Sequence, residues 1–76
     1  MNKSRRKELR EIAESLGTIK DELETVRDDE QDAYDNLPES IQASDTGDEF
    51  TDNVDAIQDA IDSIDDAIDK INDVVE

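Results

Sequence analysis

Residues Asn53–Val75 read NVDAIQDAIDSIDDAIDKINDVV, and they divide into the seven-residue units NVDAIQD, AIDSIDD and AIDKIND followed by VV. Each unit has a β-branched apolar residue in second place (Val54, Ile61, Ile68) and isoleucine in fifth place (Ile57, Ile64, Ile71). Alternating steps of three and four keep one narrow stripe of a helix turned toward a partner, which is the seam of a coiled coil. With those places named a and d, aspartate occupies b (Asp55, Asp62, Asp69) and f (Asp59, Asp66, Asp73), away from the seam. A hydrophobic edge is thus backed by a ridge of carboxylates.

The same spacing recurs upstream in Leu9, Ile12, Leu16, Ile19, Leu23, Val26, Ala33 and Leu37, interrupted by Glu30 at a seam position near the hairpin end, where it swings to water or fixes the register. It predicts a first helix over about 4–35, with Gly17 on its outer side at a cost of about 1 kcal/mol relative to alanine. Asn36-Leu37-Pro38-Glu39-Ser40 ends that helix, because a residue before proline avoids the α region. The connector spans about 36–44. Within it Pro38–Gln42 has room for one helical turn, and Ile41 is expected to plug the open end. Ser44 or Asp45 caps a second helix over about 45–75, with Asp48 and Glu49 well placed against its dipole.

Two helices of similar length and a short connector predict an antiparallel hairpin. In such a pair, opposed residue numbers share one total. Leu37–Phe50, Ala33–Val54, Glu30–Ile57, Val26–Ile61, Leu23–Ile64, Ile19–Ile68, Leu16–Ile71 and Ile12–Val75 all do, and all but the Glu30 layer are apolar on both sides. The expected fold is therefore all-α: a single domain, an antiparallel two-helix coiled-coil hairpin. Ala60, Ala67 and Val74 at g widen the apolar face of the second helix. Either they let the helices approach closely or they pair two hairpins as a homodimeric four-helix bundle.

A chain of 76 residues has a marginal core, which also favours self-association or a partner. It has no cysteine and no histidine, so a disulfide framework and the commonest metal ligand and general base are lacking. No apolar run is long enough for a signal peptide or a membrane span, and the expected compartment is the cytoplasm.

Charge is unevenly distributed. Against 24 acidic and 8 basic residues overall, positions 28–76 hold one base, Lys70. Such a polyanion repels nucleic acid and anionic lipid and favours a basic protein surface. The hairpin register brings Lys20 near Asp65 and Arg27 near Gln58 and Asp62. It also lays Lys3, Arg5, Arg6, Lys7 and Arg10 along the end of the second helix, near Asp69, Asp73 and Glu76. Exposed pairs contribute about 0–1 kcal/mol each, so they select the antiparallel arrangement more than they stabilise it. At the turn end, acids crowd together without compensation.

That acidic end supplies the candidate partner-binding residues: Asp28, Asp29, Asp32, Tyr34, Asp35, Glu39, Asp45, Asp48, Glu49 and Asp52. The carboxylates either solubilise the helices or meet a basic site that ordinarily grips nucleic acid, since acids along a rod imitate phosphates spaced by about 1.7 Å of duplex axis. Tyr34 is the aromatic contact, of a type enriched in binding hot spots. Asp45/Asp48 and Asp48/Asp52 have helical spacing suited at most to loose Ca²⁺ or Mg²⁺ binding, and the EF-hand ligand ladder is absent. Carboxylate catalysis of the glycosidase kind needs a walled cleft that a two-helix rod does not provide. Hence no catalytic residue, cofactor or specific metal site is expected.

Arg5-Arg6-Lys7-Glu8-Leu9, Asp35-Asn36-Leu37-Pro38-Glu39-Ser40-Ile41-Gln42 and the Ala-Ile-Asp-x-Ile-Asp-Asp repeat resemble small acidic helical proteins encoded by phages and prophages of Gram-positive bacteria. The resemblance implies a host bacterial cytoplasm and an inhibitor that occupies a basic, nucleic-acid-binding surface of a host or defence protein. The alternative is a structural oligomerisation module whose acids only solubilise.

Overall fold

The computed structural model describes residues 1–76 and contains three helices: α1 (Lys3–Asp35), α2 (Glu39–Gln42) and α3 (Asp45–Val75). α1 and α3 run back along each other as an extended hairpin measuring 58 × 15 × 12 Å, and α2 packs on α3 at the turn. α1 starts one residue earlier than its sequence pattern indicates, because the Asn2 carboxamide oxygen accepts from the Arg5 amide at 2.8 Å. It ends at Asp35 with Asn36 as its C-cap, two residues before Pro38, in keeping with the restriction on pre-proline backbone.

The turn is built differently from the sequence expectation. Ile41 is exposed and plugs nothing. Gly47, in the first turn of α3, is buried instead, and a Cβ there would clash with the Gln42 carbonyl group. The absence of a side chain lets the α2 backbone lie directly on α3. Ser44 does occupy the N-cap position of α3, but its hydroxyl donates back to the Ile41 carbonyl rather than accepting from the helix. Gln42 closes the other side of the turn. Its side-chain amide donates to the Tyr34 carbonyl at 2.9 Å and to the Asp35 carbonyl at 3.4 Å, satisfying groups that the end of α1 leaves without helical partners.

Along the rod, the inter-helix contacts hold one register. Lys20 Nζ lies 2.8 Å from Asp65 Oδ1, and Arg27 Nη1 donates to Gln58 Oε1 at 2.7 Å. Arg10 Nη2 donates to the Val75 carbonyl at 3.4 Å. These three pairs share one total of residue numbers, as the paired heptads require. Arg27 reaches Asp62 only through Gln58, whose amide donates to that carboxylate at 3.0 Å.

α3 presents the predicted stripe: Val54, Ile57, Ile64, Ile68 and Ile71 are half-buried, and Ile61 and Val75 are only 2% and 8% exposed. Covering Ile61 contributes about 2 kcal/mol, and the half-open layers contribute less. α1 does not follow its predicted stripe. Leu9, Leu16, Leu23, Glu30 and Leu37 face α3, but the half-buried positions between them include Ala13, Lys20, Arg27 and Tyr34, with Gly17, Glu24 and Gln31 beside them. Ile12, Ile19 and Val26, expected in the seam, stand 50%, 45% and 52% exposed, and Ala33 is also exposed. α1 is rotated toward the flank where Lys20 and Arg27 reach α3. Both side chains are half-buried, and their charged ends reach Asp65 and Gln58.

A second correction concerns the basic N-terminal segment. Lys3, Arg5, Arg6, Lys7 and Arg10 form no ion pair with Asp69, Asp73 or Glu76; the ion pairs are Lys20–Asp65, Lys20–Glu24 and Arg27–Asp28. The hydrogen bond from Arg10 to α3 goes to the backbone, and the Arg6 Nε atom has no hydrogen-bond partner.

Candidate functional site

The antiparallel fold carries the C-terminal end of α1, α2 and the first turns of α3 to one end of the rod. Asp28, Asp29, Asp32 and Asp35 come from α1, Glu39 from α2, and Asp45, Asp48, Glu49 and Asp52 from α3. All nine are exposed, whereas Tyr34 is half-buried on the face of α1 turned toward α3.

The electrostatics of this pole follow from what is missing around it. Only Asp28 has a cation within ion-pair distance, Arg27 at 3.0 Å. α1 has no basic residue in its last turn, so its carboxylates sit unopposed at the negative end of the helix dipole. Asp45 and Asp48 lie in the first turn of α3, where the dipole favours them. No three of these acids converge in an arrangement able to hold a metal ion. Further along the rod Arg27 and then Lys20 reach α3, and the Lys20 pKa is raised above its ordinary 10.5 chiefly by its hydrogen bond to Asp65, against a smaller opposing effect of burial.

Two amides that the sequence pattern does not single out shape the pole. Asn53 Nδ2 donates to Glu30 Oε2 at 2.9 Å, so the polar seam position is tied to α3 rather than left to water. Gln42 holds the end of α1 through the Tyr34 and Asp35 carbonyls, and Gln31 donates to Asp35 Oδ1 at 3.0 Å. The only advance signal for either role is an amide among acids: Asn53 begins the repeat that Glu30 faces, and Gln42 stands beside the proline turn.

No protein-family model, curated protein or solved structure matches this chain. What the pole does must be argued from its own chemistry. It has no walls, no buried ionisable group and no nucleophile paired with a base. Nine exposed carboxylates gathered from three helices at one end of the rod can attract, orient and hold a cationic surface. No helix is long and apolar enough to cross a membrane.

Proposed function

We propose that the chain is a non-enzymatic acidic binding protein whose turn-end pole occupies a basic surface of another protein, of the kind that otherwise holds nucleic acid. The supporting observation is that the pole is exposed and, apart from Asp28, has no internal cation. Carboxylates needed only for solubility gain nothing from being collected at one end, and collecting them there destabilises that end. The setting is that of a phage- or prophage-encoded inhibitor acting in the cytoplasm of a Gram-positive host.

The test is a pull-down from host lysate at low and high salt, with the wild type and a variant carrying Asp32→Lys, Asp35→Lys, Asp48→Lys and Asp52→Lys. All four positions are exposed, so the hairpin remains helical. The expected outcome is a basic partner that is captured at low salt, released by high salt and not captured by the variant. Equal capture by both proteins, or capture indifferent to salt, refutes this role.

A second reading has its own observation. Ile12, Ile19 and Val26 of α1 and Val74 of α3 are open to solvent, which suits a coiled-coil module whose working surface is apolar and whose hairpins pair as a dimer. Loss of activity on changing Ile19 alone, with reversal of Asp35, Asp48 and Asp52 harmless, favours this second reading.

A further inference from the structure

The rotation of α1 leaves Ile12, Ile19 and Val26 as a straight stripe one heptad apart on the side away from Lys20 and Arg27. Beside it lies an open groove of about 470 Å³, lined by Glu8, Glu11, Ile12, Ser15, Leu16 and Ile19. Ile12, Ser15, Leu16 and Ile19 stand at i, i+3, i+4 and i+7, the four-residue hole that receives a knob from a neighbouring helix. The shape calls for a helix, and charge decides which one.

α1 is polarised along its length. Residues 3–10 carry Lys3, Arg5, Arg6, Lys7 and Arg10 against Glu8, and residues 28–35 carry Asp28, Asp29, Glu30, Asp32 and Asp35 with no base. None of the five N-terminal cations is ion-paired within the chain. The apolar stripe is also symmetric about Ile19, with Ile12 and Val26 equally far on either side. We propose that this face of α1 binds the same face of a second copy, antiparallel about a twofold axis near Ile19. Ile12 then lies beside the partner's Val26, and Arg5 lies beside the partner's Ala33, flanked by the partner's Asp29 and the partner's Asp32.

The alternatives within a dimer are worse. Pairing α3 with itself sets the Asp59, Asp66 and Asp73 ridge of one copy near that of the other. Pairing α1 antiparallel to the partner's α3 repeats the acid-on-acid crowding of the turn end. Only α1 against α1 brings cations to acids at both ends. Glu8 against the partner's Asp29 works in the opposite sense and is outnumbered. The two turn ends then sit at opposite ends of one rod, with Asp28 and Asp35 still turned outward. The interface does not depend on the pole's binding role.

The chain has no cysteine, so single cysteines report on this face alone. Purified Ile19→Cys is expected to crosslink to itself on mild oxidation. Ile12→Cys and Val26→Cys crosslink when mixed, and neither does so alone, because each then faces its own copy across roughly 21 Å. Sedimentation equilibrium gives twice the 8.6 kDa chain mass for the wild type and the single mass for Ile19→Asp with unchanged helicity. Arg5→Glu and Asp32→Arg each weaken the dimer about tenfold, and together they restore it. A wild type of single-chain mass overturns the proposal. So does self-crosslinking of Ile12→Cys, which signifies parallel pairing, or crosslinking of Ala67→Cys but not Ile19→Cys. A monomer that binds an added cationic amphipathic peptide through Ile19 assigns the face to a foreign helix and equally refutes the dimer. All readouts use the purified chain, so failure here leaves the lysate test of the pole unaffected.

Discussion

Gly17 and Gly47 are both glycines inside helices, and the same substitution has opposite consequences at the two. A Cβ at Gly17 meets nothing within 4 Å, so Gly17→Ala restores ordinary helix propensity and stabilises the chain by about 1 kcal/mol. A Cβ at Gly47 clashes with the Gln42 backbone, which is not the yielding end of a side chain. Gly47→Ala must therefore lift α2 from α3, and a cost of about 1–3 kcal/mol is expected. Thermal unfolding followed by circular dichroism checks both, with melting temperature rising for the first and falling for the second. If the two variants shift together, the close approach of α2 to α3 does not exist in solution. Nothing in the sequence distinguishes the two glycines. The difference arises from where the proline turn sets α2, which no local pattern encodes.

At the scale of the helices, the extent of both long helices was legible, but the buried face was legible only for α3, for a physical reason. In α3, from Val54 to Val75, isoleucine or valine fills every a and d place and aspartate fills b and f on the far side, so only one face can be buried. In α1, two adjacent stripes share Leu9, Leu16, Leu23 and Leu37 and differ in their other members. One completes itself with Ile12, Ile19 and Val26, the other with Ala13, Lys20, Arg27 and Tyr34. Hydrophobicity favours the first. The structure selects the second, because Lys20 and Arg27 find Asp65 and Gln58 across the flank. The acidic pole was legible as composition and hairpin topology, whereas the amides that hold it depend on the turn's geometry. Lys20 also makes the pairing pH-dependent. Its folded pKa lies above the ordinary 10.5, so the folded state binds that proton more tightly than the unfolded chain does. The resulting stabilisation is full below 10.5 and is lost as pH rises through the folded value. The wild type should lose its advantage in melting temperature over Lys20→Met in that alkaline range. An advantage that persists there means the ion pair contributes nothing.

For the molecule as a whole, two electrostatic effects of opposite sign respond to salt. Added salt weakens the ion pairs of Lys20 and Arg27, which are surface pairs of small individual weight. It also screens the mutual repulsion of a chain of net charge −16, whose carboxylates crowd the turn end. The Debye length falls from about 30 Å at 0.01 M to about 8 Å at 0.15 M, shorter than the 58 Å rod but longer than an ion pair. Screening therefore removes the many long-range repulsions before it removes the few contacts at 3 Å. The melting temperature should rise as salt is added over that range, and rise less in a variant whose pole acids are amidated to Asn and Gln. Measuring both in the Ile19→Asp background keeps any gain from self-association out of the comparison. A melting temperature that falls with salt would mean the three ion pairs outweigh the accumulated charge, and the turn end would then not be the strained part of the rod.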